Sequence, residues 1–325
     1  MASMKDVAER AKVAKSTVSL VLNNSGYVAE ETRKRVEQAM KELNYRPNQL
    51  ARNLSLKKSN LIGIILPDMS HPFYGTVAKY LEEALYQYGY KTMICQTIER
   101  ENMEQEFIGM LKSQAMDGII MASHSLSQKY YQDLSFPVVG FDRYLNEHIP
   151  VVRADHREGG RLAAEKMYEA GVRKPVQIGG AAVVATPAHQ YHESFRMEMR
   201  KRDVVVRDIE MEHNAFSEND FAKAAARVFE EFPDADGIFG ADLAVSACLR
   251  EAIKRKKSIP GEIRLLAYDG TYVTRMGEHK ISAVVQPFKE LAGACVGKMN
   301  ALILNQKTGS QETILPVSFQ EGDTL

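Results

Sequence analysis

The stretch that most constrains the fold of this chain is residues 4–23, MKDVAERAKVAKSTVSLVLN. Its apolar residues recur at helical spacing in two short runs, which are interrupted at residues 12–14. Helices this short are unstable alone and must pack on a third, which the apolar face of residues 28–43 supplies. Three such helices are typical of a helix-turn-helix unit, whose second helix lies in the DNA major groove. A small helical cap without a DNA partner is the alternative that the pattern leaves open.

Charge is distributed unevenly along the chain. Residues 1–58 carry twelve Lys and Arg against six Asp and Glu, a net charge of +6, while the whole chain is balanced at 42 against 42. A basic head on an acidic body is the electrostatic footprint of a nucleic-acid-binding module. A solvated basic face without a partner is the other interpretation.

A short segment follows the third helix. Pro47 ends that helix, and Asn48 is a good cap for a new helix over residues 49–56. So short a helix becomes ordered only against a partner, and insertion of Leu54 into a DNA minor groove is one such use. A plain linker helix is equally compatible with these residues.

From residue 60 onward, the chain alternates between strand and helix patterns. Residues 61–66 form a continuous apolar run of the kind buried in a parallel sheet. Residues 236–239 and 265–269 repeat the patterns of 117–121 and 137–142, so the body is predicted to contain two doubly wound α/β lobes. The predicted fold class is an all-α helix-turn-helix head plus an α/β body of two parallel-sheet lobes with a cleft between them.

Composition and motifs argue against several classes of protein. The three cysteines are odd in number and widely spaced, as in a reducing compartment. The first residues are charged rather than apolar, and no apolar run is long enough for a membrane span. No serine-hydrolase, phosphate-loop or dinucleotide motif is present. His189 and His192 could share a helix face and a metal, but no third ligand is evident. We therefore expect a cytoplasmic non-enzyme with no catalytic residue, cofactor, metal or membrane contact.

Ligands of open α/β sheets bind beyond the carboxyl ends of the strands. That rule selects the polar and aromatic residues that directly follow the apolar runs, which are Asp68, Phe73, Ser123, His124, Asp142, Arg143, Asp242 and Asp269. Carboxylates and an Arg bind sugar hydroxyls, and an aromatic ring covers the apolar face of a sugar, so this set suits a polyol. For each Asp alone, a helix or turn cap is the alternative.

Motifs along the whole chain are shared with one family. In the head and the following segment they are Asp6-Val7-Ala8, Thr17-Val18-Ser19, Asn23, Thr32-Arg33, Leu43-Asn44-Tyr45, Pro47-Asn48 and Ala51-Arg52-Asn53-Leu54. In the body they are Phe141-Asp142-Arg143, Glu158-Gly159-Gly160-Arg161, Tyr268-Asp269-Gly270-Thr271 and Ile314-Leu315-Pro316-Val317. On these residues the chain resembles the lactose/galactose-repressor family of bacterial transcription regulators, and within it the sucrose-operon repressors.

The resemblance implies a domain organisation and two sets of binding residues. The domains would be a head at 1–46, a hinge helix or linker at 47–59, and a body of periplasmic-binding-protein type at 60–325. The first lobe would take about 60–155 plus 288–312, and the second about 156–286 plus the C-terminal strand. The DNA-binding residues would be Lys5, Lys15, Ser16, Thr17, Ser19, Leu20, Asn23, Tyr27, Asn48, Ala51, Arg52 and Leu54. Similarity adds Tyr191 and Gln286 to the effector-binding set, with Phe73, Asp142, Arg143, Asp242 and Asp269.

Two positions depart from the pattern of the family. Tyr191 stands where similar proteins usually carry an Arg that contacts the effector, so a bidentate donor is missing. That loss argues against a sucrose-type effector and more strongly against a phosphorylated one. Similar proteins often carry Ser and Arg where this chain has Ala14 and Leu20. Because Leu20 cannot recognise guanine, we expect an operator that differs from those of relatives.

The prediction from sequence is a homodimeric repressor of a sugar-utilisation operon. It would leave a near-palindromic operator when a small sugar or sugar phosphate, such as sucrose or a related sugar, binds the cleft. The sequence leaves open the alternative of a regulator of the same fold that uses a corepressor or a non-sugar effector. A second alternative is a sugar-binding transport receptor, which would require export.

Replacement of Leu54 by Ala should weaken operator binding and spare sugar binding, because the smaller side chain cannot act as a wedge between base pairs. Fluorescence anisotropy of labelled operator DNA measures the first affinity, and a sugar titration measures the second. Equal operator affinity for variant and wild type would exclude the wedge role.

Overall fold

The computed structural model describes residues 2–23, 25–45, 58–98, 103–123, 131, 134–181 and 186–325. The chain divides into two compact units, a head unit at Met1–Ser59 and a body unit at Asn60–Leu325. Five predicted binding residues lie outside the described residues, namely Asn48, Ala51, Arg52, Leu54 and His124. None of the helices in the described ranges combines the length and apolar character that a membrane span requires.

The head unit contains α1 (Met4–Ala11), α2 (Lys15–Asn23) and α3 (Glu30–Glu42). Ser3 begins α1 with a capping box, because its hydroxyl accepts from the Asp6 N–H while the Asp6 carboxylate accepts from the Ser3 N–H at 2.7 Å. α1 ends at Lys12, whose φ of 54° is left-handed. Each helix contributes one fully buried valine, and these are Val7, Val18 and Val36. The predicted trihelical unit and the break between its first two helices are confirmed.

The body unit has two lobes whose sheets have corresponding strand orders. The first contains β1 (Leu61–Leu66), α4 (Pro72–Gln87), β2 (Lys91–Gln96), α5 (Met103–Lys112), β3 (Gly118–Met121), β4 (Val138–Phe141), β5 (Val151–Ala154), α11 (Phe288–Ile303) and β11 (Glu312–Leu315). The second contains α6 (His156–Glu169), β6 (Pro175–Gly179), α7 (His189–Arg200), β7 (Arg207–Glu210), α8 (Glu218–Glu231), β8 (Gly237–Ala241), α9 (Asp242–Lys254), β9 (Arg264–Asp269), α10 (Val273–Met276), β10 (Ser282–Val285) and β12 (Ser318–Gln320).

Each lobe is built on one sheet. In the described ranges the strand orders are β11-β5-β4-β3-β1-β2 and β12-β10-β9-β8-β6-β7. All neighbouring strands pair in parallel except β12, which is antiparallel to β10. The first sheet includes β11, whose last residues lie beyond the expected limit of that lobe near residue 312. The predicted pair of doubly wound lobes is confirmed.

Both faces of each sheet are covered, as the continuous apolar runs predict. In β1, Ile62 and Ile64 pack with α4 and α11, while Ile65 packs on the opposite face with α5. This alternation follows from the two-residue period of a strand. In the second lobe, α8 and α9 cover one face and α6 and α7 cover the other. The carboxyl ends of the strands are therefore the part of each sheet left open to a ligand.

Gly160 in α6 provides a test of this packing, because a Cβ atom there would overlap the carbonyl oxygen of Tyr191 in α7. Replacement of Gly160 by Ala should lower the free energy of unfolding by about 1–3 kcal/mol, since backbone cannot move aside cheaply. The matched control is Gly293 in α11, where a Cβ atom meets nothing within 4 Å and Ala should add about 0.5–1 kcal/mol. Urea denaturation measures both, and a neutral Gly160 variant would contradict the close approach of α6 and α7.

Candidate functional site

The second helix of the head unit has one buried and one open face. Val18 and Val21 are buried against the other helices, whereas Lys15 and Ser16 are exposed and the side chain of Leu20 is 37% exposed. Lys5 on α1 is exposed as well and forms an ion pair with Glu9 at 3.8 Å. An exposed face with this mixture of donors and one apolar side chain is suited to the edges of bases in a major groove.

Two of the predicted DNA-binding residues form a hydrogen bond with each other. Ser19 is half-buried, and its hydroxyl accepts a hydrogen bond from Asn23 Nδ2 at 3.2 Å. The Asn23 Oδ1 atom is buried without a partner among the described residues. Ser19 is therefore less open than the outward position expected from the helical pattern. Thr17 is also half-buried, while Tyr27 is 94% exposed.

The cleft cavity of the body unit has a volume of about 210 Å³ and is lined by both lobes. Five of the predicted effector residues line it, namely Phe73, Asp142, Tyr191, Asp269 and Gln286. Asp142 directly follows β4, Asp269 ends β9, and Gln286 directly follows β10. The structure therefore brings these side chains together at the carboxyl ends of strands from two sheets.

Arg143 and Ser123 do not line the cavity. Arg143 is only 3% exposed, and its Nη1 atom donates to Glu104 Oε1 at 3.0 Å and to the carbonyl oxygen of Ser123. The hydroxyl of Ser123 is 2.6 Å from that of Thr97. Their position after a strand predicted contact with the effector, but both residues are directed into the first lobe.

Asp68 and Asp242 also lie outside the lining and have local structural partners. Asp68 is the cap of a turn, since its carboxylate accepts from the N–H and the hydroxyl of Ser70, each at 2.8 Å. Asp242 accepts from the Gly270 N–H at 3.1 Å and from the Thr271 N–H and hydroxyl, each at 2.6 Å. Asp242 thus holds the turn after Asp269 without facing the cavity. For these two residues, the cap alternative describes the structure.

Sequence patterns missed several residues of the lining, among them His71, Tyr74, Thr186 and Phe216. They lie at helix starts and in loops, where no apolar period marks them. His189 and His192, which the spacing marked as a face-sharing pair, line the cavity together. In the described part of the chain, no group of three His, Cys, Asp or Glu side chains could hold a metal ion.

A buried chain of side chains connects the two lobes behind the cavity. His156 is fully buried, with Nε2 2.7 Å from Asp142 Oδ1 and Nδ1 2.8 Å from the Tyr268 hydroxyl. Because a carboxylate only accepts, we assign the proton to Nε2, and in a neutral ring Nδ1 then accepts from Tyr268. Tyr191 stacks on Tyr268 with ring centroids 3.8 Å apart. The Tyr191 ring is therefore held by stacking.

Both cavity aspartates adopt backbone conformations that are unfavourable for residues other than glycine. The φ angles are 50° for Asp142 and 114° for Asp269. Gln286 Nε2 donates to Asp269 Oδ1 at 2.8 Å, and the Thr186 hydroxyl donates to the Asp142 carbonyl oxygen at 3.3 Å. Strain of this kind is typical of sites where a side chain must point in one direction for function.

Burial changes the protonation of the acidic and imidazole groups. Burial, with the charges of Asp242 and Asp142 next, raises the pKa of Asp269 well above its usual value. Burial also raises the pKa of Asp242 to about 6, although its hydrogen bonds from Thr271 act in the opposite direction. Burial lowers the pKa of His192 to about 3 and that of His71 to about 4. The two imidazoles are therefore neutral near pH 7.

Comparisons with known proteins agree with this architecture. The model of bacterial regulatory proteins of the lacI family matches residues 3–48. The model of periplasmic binding proteins and the sugar binding domain of the LacI family matches residues 59–321. The chain therefore belongs to the lacI family of bacterial regulatory proteins, which are DNA-binding regulators rather than enzymes. This confirms the family expected from the sequence.

Three similar proteins illustrate the match. The sucrose operon repressor of Streptococcus mutans serotype c is 34% identical over 334 residues and covers 100% of both chains. The ribose operon repressor of Halalkalibacterium halodurans is 35% identical over 292 residues, which are 90% of this chain and 87% of that protein. The crystal structure of the lac repressor dimer bound to operator and the anti-inducer ONPF has a TM-score of 0.85 at 20% identity, over 99% of this chain and 98% of that one, and so shares the fold.

Replacement of Asp269 by Asn tests the electrostatic cost of the buried carboxyl. Because the pKa of Asp269 is raised in the folded protein, its protonated carboxyl contributes stability in acid, and this contribution is lost as pH rises through that pKa. Asn cannot ionise but still accepts from Gln286, so the variant should gain free energy of unfolding relative to wild type as pH rises above the usual pKa of an aspartate.

The control for this change is Asp234→Asn. Hydrogen bonds from Arg207 and Lys174 lower the pKa of exposed Asp234, so this variant should lose stability relative to wild type as pH rises to the usual pKa of an aspartate, and above that pKa the difference should stay constant. Urea denaturation at each pH measures both differences. A stability difference for Asp269→Asn that does not change with pH would contradict the raised pKa.

Proposed function

We propose that this protein is a transcriptional repressor of a sugar-utilisation operon, released from its operator when a small sugar binds the cleft cavity. The proposal rests on one observation. A single chain joins a trihelical head, whose second helix has an exposed polar face, to a two-lobed body with a cavity lined by both lobes. The first part is suited to DNA and the second to a small ligand, which is the combination that ligand-controlled DNA binding requires.

The operator contact would be made by two heads of a homodimer in the cytoplasm. The net charge of +6 on residues 1–58 supports attraction to phosphates, which dominates the affinity for DNA. A two-fold dimer would match a near-palindromic operator, with one α2 helix in each half-site. Residues 47–59 would act as the hinge, with Asn48, Ala51, Arg52 and Leu54 on the minor groove.

The chemistry of the cavity supports a sugar as the effector. Asp142, Asp269 and Gln286 offer acceptors and donors for hydroxyl groups, while Phe73 and Tyr191 offer flat apolar surfaces. The relatives named above repress sucrose and ribose operons. A cavity of about 210 Å³ is below the roughly 300–1,000 Å³ of drug-sized sites and favours one sugar ring over two. We therefore propose a monosaccharide rather than sucrose.

Release of DNA would follow from a change in the relation between the two lobes. The first lobe contributes His71, Phe73, Tyr74 and Asp142 to the lining, while the remaining described lining residues belong to the second lobe. A sugar that bonds to both lobes stabilises the arrangement in which both sets reach it. Its effect on DNA affinity equals its differential affinity for the two arrangements and no more.

The decisive test is fluorescence anisotropy of a labelled palindromic duplex from upstream of the gene. The protein is titrated without sugar and then with ribose, fructose, glucose, sucrose and the phosphates of the monosaccharides. The proposal expects tight binding that one monosaccharide relieves. Absence of sequence-specific binding would overturn it, and binding strengthened by a ligand would replace the inducer with a corepressor.

Replacement of Lys15 by Ala should remove one phosphate contact of the recognition helix. We expect weaker binding to operator and unrelated duplexes alike, and a slope of log K against log salt concentration reduced by about 1. Lys79→Ala is the control, because Lys79 is an exposed lysine of the body that pairs with Glu83 at 3.9 Å. An unchanged slope for Lys15→Ala would exclude the contact.

A further inference from the structure

Acidic side chains line the cleft cavity, and no Lys or Arg is found among its described lining residues. The acidic residues are Asp142, Asp269 and Glu212. Residues 182–185, which connect two lining residues in sequence, are uncharged as well. Asp142 Oδ2 and Asp269 Oδ2 have no hydrogen-bond partner among the described residues, since each carboxyl uses Oδ1 for its internal bond. Two carboxyl oxygens are therefore available to a ligand.

The positive groups expected at this site are elsewhere or are absent. Arg143 is buried against Glu104 in the first lobe. Tyr191 occupies the place of the family arginine. Three of the lining histidines supply no charge near pH 7, because burial lowers the pKa of His71, His189 and His192. An anionic ligand would therefore lose its hydration without gaining a cation.

Aromatic rings surround the same space. The ring of His71 lies 5.4 Å from that of Tyr74 and 5.6 Å from that of Phe216, and Phe73 lies 5.1 Å from Tyr74. His71 Nδ1 is buried without a partner among the described residues, so a neutral imidazole has an unused atom beside the cavity. Aromatic faces beside carboxylates are the surroundings that stabilise an ammonium group.

We propose that the cleft selects a monosaccharide that carries a protonated amine and excludes sugar phosphates and sugar acids. The inference rests on the proposed function, because it takes this cavity to be the effector site. The ammonium donates to Asp142 and Asp269, the ring carbons cover an aromatic face, and the hydroxyl groups bond to Gln286 and His71. A neutral sugar would leave the acidic pair without a cation.

Binding of an amine should also release a proton. Burial raises the pKa of Asp269 in the free protein and so favours its protonated form, whereas an ammonium beside it lowers that pKa and favours ionisation. The titratable groups around Asp269 are Asp242, Asp142, Tyr74, Tyr191 and Tyr268. His156 is hydrogen-bonded to Asp142 and to Tyr268, and the charge of Arg275 lowers the pKa of Asp242. None of these groups supplies a cation at Asp269 itself. At pH values below the pKa of the amine itself, affinity for the amine should consequently rise with pH, which a neutral sugar would not show.

The test is isothermal titration calorimetry of the full chain with matched pairs of sugars. D-Glucosamine, D-galactosamine and D-mannosamine are each compared with the parent hexose, with the N-acetyl derivative and with the 6-phosphate of the hexose. We expect at least one amine to bind about tenfold or more tightly than its three counterparts. Its binding enthalpy should differ between buffers of different ionisation enthalpy, because a proton is released.

Two variants assign the preference to the cavity. Asp269→Asn should bind the amine and its parent hexose about equally, whereas Asp234→Asn, which removes a distant exposed carboxylate, should keep the preference. Tighter binding of a hexose or a phosphate, or no binding of any amine, would overturn the inference. If the amine inference fails in this way but a neutral sugar releases operator DNA, the proposed function still holds. Amine binding by a protein that does not bind operator DNA would support the inference and overturn the proposed function.

Discussion

The body of this protein depends on the burial of three carboxyl groups where its two sheets end. Each has a partner that makes burial tolerable: His156 for Asp142, the turn at Gly270-Thr271 for Asp242, and Gln286 for Asp269. Burial is the main cause that raises the pKa of Asp242 and of Asp269, and of these two only Asp269 lines the cavity. Two of these aspartates, Asp142 and Asp269, have positive φ angles, and the packing around them must offset the cost of that backbone strain.

Close helix packing places the other half of the site. A Cβ atom at Gly159 would lie 2.7 Å from atoms of the Tyr268 ring, so α6 can approach β9 only with glycine there. Gly160 allows the corresponding approach of α7. These two contacts bring His156, Tyr268 and Tyr191 into one stacked and hydrogen-bonded group. The Gly-Gly motif is therefore a condition for the geometry of the cleft as well as for the stability of the lobe.

The sequence predicted the architecture well because apolar periods report burial directly. The strand patterns at residues 61–66 and 265–269 and the trihelical head are present as expected. The rule about strand ends found Asp142 and Asp269 but also selected Arg143 and Asp242, whose side chains turn away from the cavity. Position along a strand limits where a residue lies, while the direction of its side chain depends on partners distant in sequence, such as Glu104.

By itself, the sequence determined the family, the charge difference between head and body, and the absence of arginine at position 191. Each of these is a property of local pattern or composition, which folding does not change. Only the tertiary structure decided that Arg143 is buried against Glu104, that half-buried His71 and buried His192 are neutral near pH 7, and that aromatic rings line the same cavity as Asp142 and Asp269. Those properties depend on desolvation and on contacts between lobes, and both exist only once distant segments are packed together.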